Sequence, residues 1–311
     1  MVTQLNTKRI LIFLAIAFGI SCTATLVTYL SGAMKANPIL AGSLANYIVV
    51  MSPALANVAT RLITREGWGH LWLRPNFRRG WRFYLAAWLL PLLAISVGGA
   101  TFYLLFPQSF DPNLGGMRKL GETLPFVAAA NPWAGLLSFT LYLLIVGLAI
   151  NGVLSIGEEF GWRAYLLPKL IERFGGAERP SASAAHKAAL LIGVIWSVWH
   201  WPLFFLGASA GFPYPNLLLY LVTTCSFSVL LSWVTLRSGS VWPASIGHGT
   251  LNATSVLPAF LLKGPASPLL GPGLPGLIGG LGYLVLALVL LFDRRALVEK
   301  EAGSQEHSTL V

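Results

Sequence analysis

Six polar side chains stand inside or beside long apolar runs of this chain, in three short clusters: GEEFGWR at 157–163, WSVWHW at 196–201 and SIGHGTLN at 245–252. They are Glu158, Glu159, Arg163, His200, His248 and Asn252. A charge at the centre of a membrane helix costs on the order of 2.5–3.5 kcal/mol, so each such group needs a partner or a purpose. On a helix, Glu159 and Arg163 are four residues apart and meet on one face as an ion pair. Glu158 points about 100° away and lacks that partner. A carboxylate left in a poorly solvated, acid-crowded place is suited to draw a proton from water. His248 and Asn252 also share a face and present an imidazole and a carboxamide to the same point. Trp196 precedes His200 by four residues, so its indole packs over the imidazole and fixes its orientation. The set offers a base, proton carriers and a hydrogen-bond donor. Each piece also has a plainer reading, as a solvated ion pair at a helix end or a histidine satisfied by a neighbouring helix. Their joint occurrence on separate spans favours chemistry.

The elements that must position these groups are membrane helices. Of the 311 residues, 55% are hydrophobic and only 10% charged, with a mean hydropathy of +0.69. That is far from the roughly 25% charged content of a soluble domain. Runs long enough to cross a hydrocarbon core of about 30 Å lie near 10–30, 38–60, 82–106, 133–156, 187–206, 216–236, 242–263 and 272–292. The fold class is therefore all-α, a polytopic membrane protein with about eight transmembrane helices. Residues 1–296 form a single transmembrane domain whose motif-bearing core is about 133–255, and 297–311 form a polar, disordered cytoplasmic tail. Counted from Pro132, Glu158 falls at or just past the inner boundary. Span four must tilt, or break at Gly157, to bring it into the membrane.

Charge asymmetry sets the expected orientation. Lys8 and Arg9, the loop with Arg61, Arg65, Arg74, Arg78, Arg79 and Arg82, the segment with Arg163, Lys169, Arg173, Arg179 and Lys187, then Arg237, and finally Arg294 with Arg295, all fall on one side. The positive-inside rule makes that side cytoplasmic, with both termini inside a cell or inner membrane. The net charge of +10 is thus topological, and no nucleic acid is expected. The expected partners are membrane lipid and a substrate. The apolar start is too long for a signal peptide and reads as a retained first span. Cys22 and Cys225 sit in apolar runs with no metal-type spacing. His70, His186 and His307 carry no assigned chemistry, and the tryptophans elsewhere read as interfacial belt and packing residues.

E-E-x-x-x-R at Glu158, Glu159 and Arg163, aromatic-x-x-x-His at Trp196 and His200, and H-x-x-x-N at His248 and Asn252 resemble the CPBP family of intramembrane proteases, also called the ABI or type II CAAX endopeptidase family. The three elements occur in the family's order and cover about residues 133–255. Here Trp196 stands where the family usually has phenylalanine, a larger ring expected to pack over His200 without loss of function. The resemblance implies hydrolysis of a peptide bond within the membrane, in a cavity open to the cytoplasm, on a peptide or lipidated-protein substrate. Glu158 would activate water, His200 would orient it or bind a metal, and His248 with Asn252 would polarise the carbonyl. The residue chemistry agrees. Amide hydrolysis needs a base, an oxyanion donor and a proton source, which Glu158, Asn252 and a histidine supply. Glu158, His200 and His248 are also a ligand set for Zn2+, although HExxH is absent. A metal-free mechanism uses the same side chains. Two other classes compete: a non-catalytic membrane partner or immunity factor with the same fold, and a proton-coupled transporter, which would show related halves and matched broken helices. No such repeat is visible.

Overall fold

The computed structural model describes residues 2–127, 131–175, 181–206, 215–265 and 267–298. The expected tail from Glu299 onward, His307, Arg179 and the connection at 207–214 lie outside the described residues. The chain is helical throughout: α1 Val2–Leu30, α2 Pro38–Thr64, α3 Phe77–Leu105, a short α4 Gly115–Thr123, α5 Pro132–Gly175, α6 Ala182–Leu206, α7 Pro215–Ser238, α8 Trp242–Thr254 and α9 Leu281–Phe292. Among the described residues no strand forms, only isolated bridges such as Phe110 with Leu262. The fold is all-α, as composition and run lengths require.

By length and composition, α1, α2, α3, α5, α6 and α7 can cross a membrane, and the chain is an integral membrane protein. The expected seventh and eighth spans are shorter. The run at 242–263 is helical only to Thr254 and then tightens into a 3-10 turn, Leu257–Leu261, at Pro258, which has no amide to continue an α-helix. The run at 272–292 begins with glycines and prolines that fold into turns, so its helix starts only at Leu281.

The largest difference concerns the fourth span. It neither ends near 156 nor breaks at Gly157. Helix α5 continues to Gly175, and Arg163, Lys169 and Arg173, expected in a connection, lie on it. Two stretches are wound more widely, as π-helix, at Leu143–Gly147 and Trp162–Leu166. A helix of 44 residues is about 66 Å long, more than twice a hydrocarbon core. Its middle, not its end, therefore carries the carboxylates.

Close packing fixes that middle. A side chain at Gly157 would meet Met51 at 2.5 Å and the Val50 carbonyl at 2.8 Å, and one at Gly161 would meet Pro53 at 2.4 Å. These two glycines, four residues apart, let α5 lie directly on α2, as small residues do between membrane helices. A side chain at Gly249 of α8 would likewise meet the Gly152 amide nitrogen at 2.5 Å. The main core joins Phe13, Val49, Ile95, Trp162, Trp196 and Leu230, among others, and a smaller one around Leu114, Met117 and Phe139 closes the opposite end.

At the arginine-rich end, residues 65–76 form a stitched loop. Arg61 donates to the carbonyls of Gly67 and Gly69 at 2.8 and 3.2 Å, Val241 donates its amide to the Trp72 carbonyl at 2.9 Å, and the Trp242 indole donates to Leu73 at 2.8 Å. Non-glycine residues Arg65, His70, Trp72 and Asn76 hold positive φ there, a conformation that survives only where surroundings impose it. The loop, the end of α5 and Leu297 enclose a cavity of about 940 Å³.

Candidate active site

Three helices meet at Glu158–Arg163. With Gly157 and Gly161 committed to α2, the intervening carboxylates turn to other partners. Glu158 accepts a hydrogen bond from the Trp196 indole N–H on α6, at 2.6 Å. Glu159 Oε1 accepts from Arg163 Nη1 at 3.1 Å and from His248 Nδ1 on α8 at 2.9 Å. Adjacent glutamates thus point to different helices, as the 100° step demands. Arg163 and Glu159 have no solvent exposure, whereas Glu158 keeps 4%. Glu158 Oε1 has no hydrogen bond to a described residue.

Both histidines are held by Nδ1. The Trp196 backbone carbonyl can only accept, so His200 Nδ1, 2.8 Å away, carries the proton there. The Glu159 carboxylate orders His248 similarly. In each ring Nε2 is left available, the arrangement in which a second-side hydrogen bond selects the tautomer. The His200 ring is boxed by Trp199 at 4.7 Å, Tyr220 at 5.4 Å and Trp196 at 5.9 Å between centroids. Glu158 and His248 are close enough to act electrostatically on His200, and Arg163 feels both carboxylates.

Five of the six expected side chains are therefore brought together. Asn252 stands apart in its hydrogen bonding. It lies one turn beyond His248 near the end of α8, exposed, and its side chain makes no hydrogen bond to the other site residues. None of the six lines the 940 Å³ cavity, although Ala164 and Tyr165, next in line after Arg163, do.

Tyr220 and Trp199 were not singled out as site residues by sequence reasoning. Trp199 adjoins His200 in WSVWHW and carries the signal of its position. Tyr220 lies on α7, and nothing along the chain connects it to His200. Trp196 was expected to stack on His200, and it does so loosely, but its stronger ties are the backbone carbonyl and the indole N–H.

Zinc asks for three converging ligands. Among the described residues no group of three His, Cys, Asp or Glu side chains is arranged to hold a metal ion. Glu158 Oε1 and the two Nε2 atoms are the ones that would hold Zn2+, and as placed they are not gathered into a ligand set.

Comparison with known proteins bears on this same segment. The sequence model of the type II CAAX prenyl endopeptidase Rce1-like family matches residues 133–254. A curated protein from Methanococcus maripaludis named CAAX prenyl protease 2 is 26% identical over 149 residues, which is 46% of this chain and 48% of that protein. The chain spans about half the length of the curated relative it matches.

Proposed function

We propose, from the match of residues 133–254 to the Rce1-like family model, that this chain is an intramembrane endopeptidase of that family in which Glu158 activates water. The observation that carries this reading is the unequal engagement of two neighbouring carboxylates. Glu159 is sealed and shared between Arg163 and His248, while Glu158 keeps a free oxygen and some exposure. A base must reach its proton directly; Glu159 Oε2 is unbonded among the described residues but sealed from solvent, so Glu158 is the carboxylate that a water can reach.

The steps balance with these residues. Glu158 takes a proton from water, and the hydroxide attacks the scissile carbonyl carbon. The resulting oxyanion is met by imidazole or carboxamide donors, from His248 or His200 and from Asn252, whose exposure leaves its amide open to a substrate. The proton on Glu158 then passes to the leaving amine as the C–N bond breaks, giving a carboxylic acid and an amine, which become carboxylate and ammonium by exchange of the acid's proton. Arg163 and His248 Nδ1 both bond to Glu159 Oε1, and this contact fixes the imidazole much as the carboxylate of a hydrolase triad does.

The substrate class implied by the family is a peptide carrying a lipid. The basic loop and both helix ends beside it are proposed to face the cytoplasm, so the site is reached from that side. An assay of purified protein on a farnesylated CAAX peptide, wild type against Glu158→Gln, tests the reading. Cleavage by the wild type and none by the variant is expected. Absence of cleavage by a folded wild type, across lipidated and unlipidated peptides, would instead favour a non-catalytic membrane partner.

A further inference from the structure

We propose that Trp196 is the positioning residue of this site, holding Glu158 through an indole N–H that a phenylalanine at that place would not possess. This inference rests on Glu158 being the base. The indole and the carboxylate are both buried, at 3% and 4% exposure, and their hydrogen bond is 2.6 Å, the short length of a charge-assisted pair. An indole has one donor and no acceptor, so this contact fixes Oε2 and leaves Oε1 as the oxygen that can work. The pairing is selective. The indole nitrogens of Trp162, Trp199 and Trp201 are buried without a hydrogen-bond partner among the described residues, so an acceptor is not supplied to every tryptophan in this region.

Trp196 also touches the other members of the site. Its carbonyl accepts the hydrogen bond of His200 Nδ1–H, its ring centroid lies 4.6 Å from the Arg163 guanidinium carbon, and its ring meets His248 edge-on at 5.1 Å. Phe227 of α7 stacks on it from behind at 5.9 Å. A phenyl ring keeps most of these ring contacts and the carbonyl. Only the hold on Glu158 is lost, which makes Trp196→Phe a clean removal of one function.

The test uses the full-length protein and a farnesylated CAAX peptide as probe. Trp196→Phe is expected to lower kcat about 10- to 100-fold with KM within twofold, because a carboxylate displaced by about 1 Å loses reaction geometry without losing substrate contacts. A kcat within twofold of wild type overturns the proposal. A second measurement needs no turnover: melting of Trp196→Phe, Glu158→Met and the double variant. Each single change leaves a buried partner unpaired, whereas the double change removes both, so the double variant is expected to melt above the additive value. Additive losses overturn the pairing. If Trp196→Phe alone does not fold, the double variant should restore folding, and its failure to do so counts against the proposal. A wild type that cleaves nothing would overturn the protease reading, while the melting cycle would still judge the contact.

Discussion

Helix α5 carries two carboxylate networks built from similar parts. At its basic end one carboxylate, Glu66, faces three donors: Lys169, the Tyr165 hydroxyl at 3.0 Å and Arg9 at 3.4 Å. Lys169 and Arg61 also lie over the Tyr165 ring. In the middle of the same helix two carboxylates share three donors, Arg163, His248 and the Trp196 indole. The first network is saturated and ties α1, the loop after α2 and α5 into one corner. The second leaves one oxygen of each carboxylate without a partner among the described residues, and it is more deeply buried than Glu66. Fewer donors per carboxylate, in a drier place, distinguish a place prepared for reaction from a clasp.

The largest effect that would sharpen this comparison is at Glu158. Glu158→Gln is expected to lower kcat by about 10²- to 10⁴-fold with melting near wild type. Arg163→Ala should remove activity and also stability, by about 3–5 kcal/mol, since it strands Glu159 as a buried charge. If Glu158→Gln and Glu159→Gln instead cost the same stability and the same activity, the two carboxylates are equivalent and the contrast fails.

Glu66 should behave as a clasp. Burial pushes its carboxyl up, but the hydrogen bond and charge of Lys169, then Tyr165 and Arg9, outweigh this and hold it below its ordinary 4.5. A depressed carboxyl contributes stability that is complete above 4.5 and lost as pH falls through the lower folded value. Melting followed downward from pH 6 should therefore show a decline below 4.5 that is reduced in Glu66→Gln, which itself costs about 1 kcal/mol at neutral pH. An unchanged acid decline in the variant would remove Glu66 from the account. The smallest effect expected is that of chelation: turnover within twofold of control. Stoichiometric zinc in active protein that disappears with His248→Ala would overturn the metal-free scheme.

What could be read along the chain was whatever lies within one helix. The Glu159–Arg163 pair and six long spans follow from four-residue spacing and run length. The ties of Glu159 to His248, Glu158 to Trp196 and His200 to the Trp196 carbonyl join different helices or use backbone, and spacing does not say which helices adjoin. The length of α5 was hidden for another reason. Hydropathy falls after residue 156, but backbone hydrogen bonding needs no apolar side chain, so the helix outlasts its greasy stretch. The last two expected spans form shorter helices because glycine and proline leave a run hydrophobic while stopping its helix.

Helix α9 has a consequence for the surrounding lipid. Its 12 residues rise only about 18 Å, yet Val285, Val289 and Phe292 present an apolar outer face, with Phe292 83% exposed. A hydrocarbon core of about 30 Å exceeds that rise, and lipid that thins to match a short helix does so at a fraction of a kcal/mol per ångström. Through Tyr283, which meets Phe227 at 5.6 Å, the same helix backs the ring stacked on Trp196.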